Sequence, residues 1–239
     1  LATCITTLAG KSSASLTNIY HHDAKLANGA GDNSYRYAGS SDQVNNYVCF
    51  GSSEASCPED NLYRIIGVFG DRVKLIKSDY ATSTLLGTDG DYNKMYTATG
   101  LPSSNYKGNN LANVAGYSWN YKNNTSINSG YGSNTWSTSL LNKTNLNQNF
   151  ITNIGVDWAN KIDTTNWKVG GNAWSNIGTQ PSKTAYQNEI VKPVPGSTSN
   201  GETAYSAKIG LVYISDYMYA AQQDKWTLIG FAGYDTGGE

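Results

Sequence analysis

The chain has 239 residues and a mass of 25.8 kDa, enough for one domain with a sizeable core that needs no metal or cross-link to hold it together. With 17 basic against 18 acidic residues the formal net charge is −1, which excludes a nucleic-acid binder working by bulk electrostatics. Charged residues are only 15% of the chain, against roughly 25% in ordinary soluble domains, and Asn, Ser, Thr, Gly and Tyr take their place. Such a polar, uncharged surface is typical of secreted and cell-surface proteins. The aromatics, 18 Tyr and 6 Trp against 4 Phe, carry polar handles suited to wet interfaces.

The chain opens Leu1-Ala2-Thr3-Cys4 and reads as a processed or trimmed product, since neither an initiator Met nor a leader pattern is present. No apolar run approaches the roughly 18 to 20 residues that span a bilayer. Ile5 to Leu16 is expected to form a short helix. Residues 20–57 are rich in Gly, Asn and Ser, with turn signals at Asn28-Gly29 and Gly31-Asp32-Asn33. Within them Cys49 and Cys57 flank a small polar loop. That spacing favours a local disulfide over two free thiols, and both over a zinc site, which would want closer pairs and more partners than two His provide. A disulfide implies an oxidising compartment. Cys4 is left free, paired with a second molecule, or without a partner from a missing segment.

Leu62 to Phe69, then Gly70-Asp71-Arg72, then Val73 to Lys77 predict a β-hairpin: both arms are β-branched and aromatic, and Gly-Asp supplies the turn. Residues 79–134 read as one long irregular stretch, a feature that is uncommon and usually functional. Apolar steps of three and four from Ser137 to Lys161 predict two short helices separated near Gly155. Strands are expected at Asn166 to Gly170 and at Ala207 to Ile214, with a short mixed segment at 183–191 and a loop at 193–201. A short helix, with Ser215 as N-cap and Asp216 in its first turn, is expected over Ser215 to Ala221. Trp226 to Phe231 is a final apolar run.

The runs Asn28 to Gly39, Asn61 to Phe69, Val73 to Lys77, Leu85 to Tyr92 and Ala207 to Leu211, in that order, resemble surface proteins of gut Firmicutes. Precursors in that group often start with a prepilin-like apolar helix. Their bodies are similar to the C-type-lectin-like domain of formylglycine-generating enzymes and of retroelement-diversified ligand-binding proteins. Trp136-Ser137-Thr138-Ser139-Leu140-Leu141 resembles a helix of that body. The resemblance implies an α+β fold, a twisted antiparallel sheet with short helices and long irregular loops. Residues 1–239 would form a single extracellular domain, an N-terminal segment 1–19 and a lectin-like body 20–239. The chain stops before the Gly-Val-Arg-Pro motif that closes the fold in relatives, so the body is either naturally shorter or truncated at its C-terminal end. The late paired cysteines that hold copper in the sulfatase-activating relatives have no counterpart, so that activity is not expected.

His21-His22-Asp23 is the cluster nearest to general-base or metal chemistry, and it reads as a surface or turn pair. No nucleophile elbow, zinc-protease helix or P-loop accompanies it. Asp89 and Asp91, in Asp89-Gly90-Asp91 with Asp79 upstream, fit turn residues first and a calcium site second. The aromatics Tyr92, Tyr96, Tyr106, Tyr117, Trp119, Tyr121, Tyr131 and Trp136, interleaved with Asn and Ser, fit three roles: pinning a long loop to the core, an assembly interface, or a ligand platform. Asn123 and Asn142 match the N-glycosylation pattern through the abundance of Asn and Thr.

The sequence therefore points to a non-enzymatic, adhesin-like binding module at the cell surface or on a pilus, with no cofactor apart from the calcium option. Its partner would be a glycan or a surface protein. The rival is a structural subunit that binds copies of itself in a pilus or surface filament.

Overall fold

The structure, a computed structural model, describes residues 1–92, 117, 135–171, 178–193 and 202–229. Its centre is the expected hairpin, β4 (Leu62–Phe69) and β5 (Arg72–Lys77). Three short strands complete the main antiparallel sheet: β1 (Ile19–His21), β2 (Tyr35–Tyr37) and β3 (Tyr47–Cys49). One edge of β4 pairs with β5. The other is shared by β3, opposite Leu62 to Arg64, and β2, opposite Gly67 and Val68, while β1 lies outside β2. Glycine at 67 is required by this sharing, because a Cβ there would lie 2.4 Å from the Tyr35 carbonyl oxygen. A register shift between Ile65 and Gly67 marks a bulge beside it.

Alternation along the strands gives the sheet two faces of different chemistry. On one face Ile19, Ile65 and Val68 bury against Ile5 of α1 (Ala2–Lys11), with Val73 and Leu75 beside them. Burying Ile5, which is 2% exposed, contributes about 2 kcal/mol. The expected N-terminal helix thus exists, but it stops at Lys11 and a separate turn, α2 (Ala14–Thr17), follows. Further along the same face Tyr63 packs with Leu86, Phe150 and Ile154. The opposite face carries Arg36 and Lys74 and meets the C-terminal helices.

A 3-10 turn (Trp136–Thr138) and a π-helix (Leu141–Phe150) precede α4 (Ile151–Asn153) and α5 (Val156–Ala159), while α3 (Ser83–Leu86) lies within the stretch expected to be irregular. The break between α4 and α5 falls at Gly155, whose φ of 87° suits glycine. β6 (Thr165–Lys168) and β7 (Ala204–Ala207) form a second, two-stranded antiparallel sheet. Ala207 to Ile214 is therefore not a strand: pairing ends at Ala207, where the expected strand was to begin. Beyond it Gly210 lies against the Trp167 ring, so close that a Cβ would approach it to 2.3 Å. The mixed segment resolves into α6 (Ser182–Tyr186) and a second π-helix (Gln187–Val191), and the last helix is α7 (Ile214–Ala220).

Two further expectations are corrected here. Ser215 is not the N-cap of α7. The carboxylate of Glu189 caps the helix instead, accepting the Ile214 N–H at 3.0 Å and the Ser215 N–H at 2.8 Å. His22 is no surface residue but fully buried, its ring against Tyr219 and Trp226 and its Nδ1 accepting the Ala30 N–H at 3.0 Å. The class is α+β with a curled antiparallel sheet and short helices. Among the described residues no helix is long and apolar enough to cross a membrane.

Candidate functional site

The Tyr-rich stretch joins the described fold at a clamp built from carboxamides. Asn145, Asn149 and Asn153 recur every four residues through the π-helix and α4 and lie on one side of it. Asn145 Nδ2 donates to the Leu86 carbonyl at 2.8 Å and the Asp89 carbonyl at 3.1 Å, while its Oδ1 accepts the Asp91 N–H at 3.0 Å. Asn149 Nδ2 donates to the Leu86 carbonyl at 2.9 Å and to Asp89 Oδ1 at 2.6 Å. Asn153 Nδ2 reaches the Thr84 and Leu85 carbonyls, both at 3.0 Å. These bonds satisfy backbone groups of a segment with little regular structure of its own, and burying those groups unpaired would be costly. Gly87 and Gly90 let the amides come this close, since a Cβ would meet Asn149 Nδ2 at 2.4 Å and Asn145 Oδ1 at 2.5 Å.

Tyr92 and Tyr117 form an antiparallel bridge on this clamp, with ring centroids 5.5 Å apart. The Tyr117 hydroxyl donates to the Gly87 carbonyl. Burial, helped by Tyr92 and Asp89, raises its pKa and keeps it a donor. Of the aromatics named from sequence, Tyr92 and Tyr117 are half-buried anchors. Trp136, 3% exposed, is a core residue, which fits the first of the three roles and leaves it no face for a ligand. Tyr96, Tyr106, Trp119, Tyr121 and Tyr131 lie outside the described residues. Asn142, in a glycosylation pattern, is fully buried and its Nδ2 donates to the Trp136 carbonyl at 3.0 Å.

Asp89 serves the clamp through its side chain and Asp91, fully buried, through its backbone. Among the described residues no group of three or more His, Cys, Asp or Glu is gathered as a metal site. Cys49 and Cys57 are joined by the expected disulfide, with Cα atoms 5.7 Å apart, and Cys4 is a free, exposed thiol on α1.

A second polar centre lies across the sheet. Arg36, 2% exposed, places Nη2 2.7 Å from Asp32 Oδ2, Nη1 3.3 Å from Asp216 Oδ1, and Nε 2.8 Å from Ser34 Oγ. Phe69, Tyr186 and Tyr219 surround its guanidinium at 4.7 to 5.3 Å. The Tyr186 hydroxyl donates to Asp32 at 2.9 Å. Burial works against ionisation of Asp32, yet Arg36 and the Ser34 hydrogen bonds leave its pKa below the usual carboxylate range. Lys74 pairs with the other oxygen of Asp216. Burial of His22, with Arg36 nearby, lowers its pKa to about 3, so its ring is neutral. Elsewhere, an open groove of about 620 Å³ is lined by Asn18, Tyr20, Ser40, Gln43, Gln222 and Asp224, among others, and includes none of the candidate site residues named from sequence.

The sequence reading missed both centres. The carboxamide ladder had a signal, its four-residue spacing of Asn145, Asn149 and Asn153. Arg36 and Asp216 stand 180 positions apart, and no local pattern joins them. Comparison with protein-family models, curated proteins and solved structures finds no match to this chain.

Proposed function

We propose that the chain is a non-enzymatic binding module displayed outside the cell, whose contact surface belongs to the Tyr/Asn/Ser-rich residues between Tyr92 and Thr135. The observation that carries this reading is the clamp: three Asn side chains, two glycines and the Tyr92–Tyr117 bridge hold the base from which those residues depart. A fixed base lowers the entropy cost of binding, and Tyr and Trp supply contact area with few rotatable bonds. The Cys49–Cys57 disulfide supports an oxidising, extracellular setting. The ligand class is a glycan or surface protein, with carboxamides for hydroxyls and ring faces for C–H patches, and with a C-type-lectin-like body as the nearest architecture. A Trp119→Ala variant is expected to lose ligand retention on a glycan array while melting like the parent. Equal retention by both proteins would remove the aromatic platform from the account.

One observation favours a second reading, a subunit of a surface filament. Leu1, Leu8 and Leu16 are 59%, 51% and 80% exposed, and the free Cys4 shares α1 with Leu8. Negative-stain electron microscopy separates the two: regular filaments support the subunit, discrete particles the module.

A further inference from the structure

Lys74 and Asp216 meet in surroundings unusual for an ion pair. Lys74 projects from β5, and its ammonium lies 4.0 Å from the centre of the Tyr213 ring, 5.2 Å from Trp167 and 5.8 Å from Phe69. Its side chain is 14% exposed and that of Asp216, in the first turn of α7, is 3% exposed. Nζ touches Asp216 Oδ2, while Arg36 Nη1 lies 3.3 Å from Oδ1. Glu189, 6% exposed, is held by two backbone N–H groups at the start of α7.

We propose that Lys74 and Asp216 condense within the folded chain to an intramolecular isopeptide bond, linking β5 to α7. Condensation requires one ammonium proton to pass to Oδ2 of Asp216, which Nζ touches, so that an amine faces a carboxylic acid. Burial lowers the pKa of Lys74, although Asp216 opposes the shift. Nζ then adds to Cγ of Asp216, and the carbonyl electron pair moves to Oδ1, where the Arg36 guanidinium stabilises the developing negative charge. Nζ gives up one proton, Oδ2 receives it and leaves as water, and the carbonyl re-forms. One N–C bond is made, one C–O bond is broken and one water is released, with no oxidant or other reactant. The rings exclude the water that would reverse the step.

Glu189 is the positioning residue. It fixes the turn that carries Asp216 and is electrostatically coupled to both partners. Burial raises its own pKa, against the pull of the α7 N–H groups.

The test is the intact mass of the full chain after thiol reduction and denaturation, which removes any contribution from the disulfide. The parent is expected to fall below its sequence mass by one water, about 18 Da, and a protease digest to yield a branched peptide joining Lys74 to Asp216. Lys74→Arg is expected at full sequence mass. Should that variant fail to fold, the branched peptide from the parent decides alone. A parent at full sequence mass, or a water loss that maps to another site such as Asp89-Gly90, would overturn the proposal. Glu189→Gln, with a circular dichroism spectrum matching the parent's, is expected to accumulate uncondensed chain. Condensation as fast as in the parent would remove Glu189 from the role while leaving the bond itself standing. The proposal does not depend on the binding reading.

Discussion

The centre around Arg36 and the clamp around Asn145 do the same work with opposite electrostatics. Each gathers segments distant in sequence and supplies partners for buried polar groups. The Arg36 centre uses ionised groups packed among aromatic rings, on the sheet face that meets α6 and α7. The clamp uses carboxamides, which donate and accept without titrating, at the base of the Tyr-rich stretch. A chain poor in charge thus places several of its charges inside, where they fix how sheet and helices meet. At the base of the Tyr-rich stretch the amide bonds of the clamp carry no titrating proton, so they should be less sensitive to pH and salt than the Arg36 centre.

The comparison breaks most readily at Arg36. Arg36→Met leaves the Asp32 carboxylate without its guanidinium and is expected to cost about 3 to 5 kcal/mol in urea unfolding. A loss below about 1 kcal/mol, the range of an exposed pair, would show that this centre is not the keystone described. Acid acts on the same centre through His22. Its folded-state pKa, about 3, lies below its ordinary 6.5, so between those values the unfolded chain binds the extra proton. The stability from the neutral ring is complete above pH 6.5 and is lost as pH falls toward 3, by roughly 5 kcal/mol in all. The depressed pKa of Asp32 adds a loss at still lower pH, whereas the raised pKa of Glu189 works the other way, stabilising as pH falls. The difference between parent and His22→Phe isolates the histidine: the variant should lose the slope between pH 6.5 and 4, and parallel curves would contradict a buried neutral ring.

Smaller effects sharpen the other half. Opening the Cys49–Cys57 link in a Cys49→Ser, Cys57→Ser double variant should cost about 2 to 3 kcal/mol by freeing a short loop of the unfolded chain. Asn145→Ala should cost about 1 to 3 kcal/mol and raise amide exchange at Asp91, with no change in the pH profile. A pH profile altered by Asn145→Ala would mean that the two centres are coupled rather than independent.

What could be read from sequence was local. The hairpin was legible because β-branched arms and Gly70-Asp71 act over neighbouring residues, and the disulfide because eight positions separate its cysteines. The strand expected from Ala207 to Ile214 ends its pairing at Ala207, and the Trp167 ring, forty positions away from Ala207, packs against Gly210 beyond it, a contact no local pattern announces. Ser215 looked like a cap because nothing nearby announced that Glu189 would supply one. Asn145, Asn149 and Asn153 carried a visible period, yet their partners at 84 to 91 had no pattern to match it. The aromatic set divides the same way: its rhythm was visible, but burial of Trp136 depends on long-range packing.

The claim that the Tyr/Asn/Ser-rich end is the binding end is tested most directly by glycan-array retention of the parent beside Trp119→Ala and Arg36→Met, at a temperature where all three are folded. The account predicts that the parent and Arg36→Met are retained alike and that Trp119→Ala is lost. Retention of Trp119→Ala at the parent's level would contradict it.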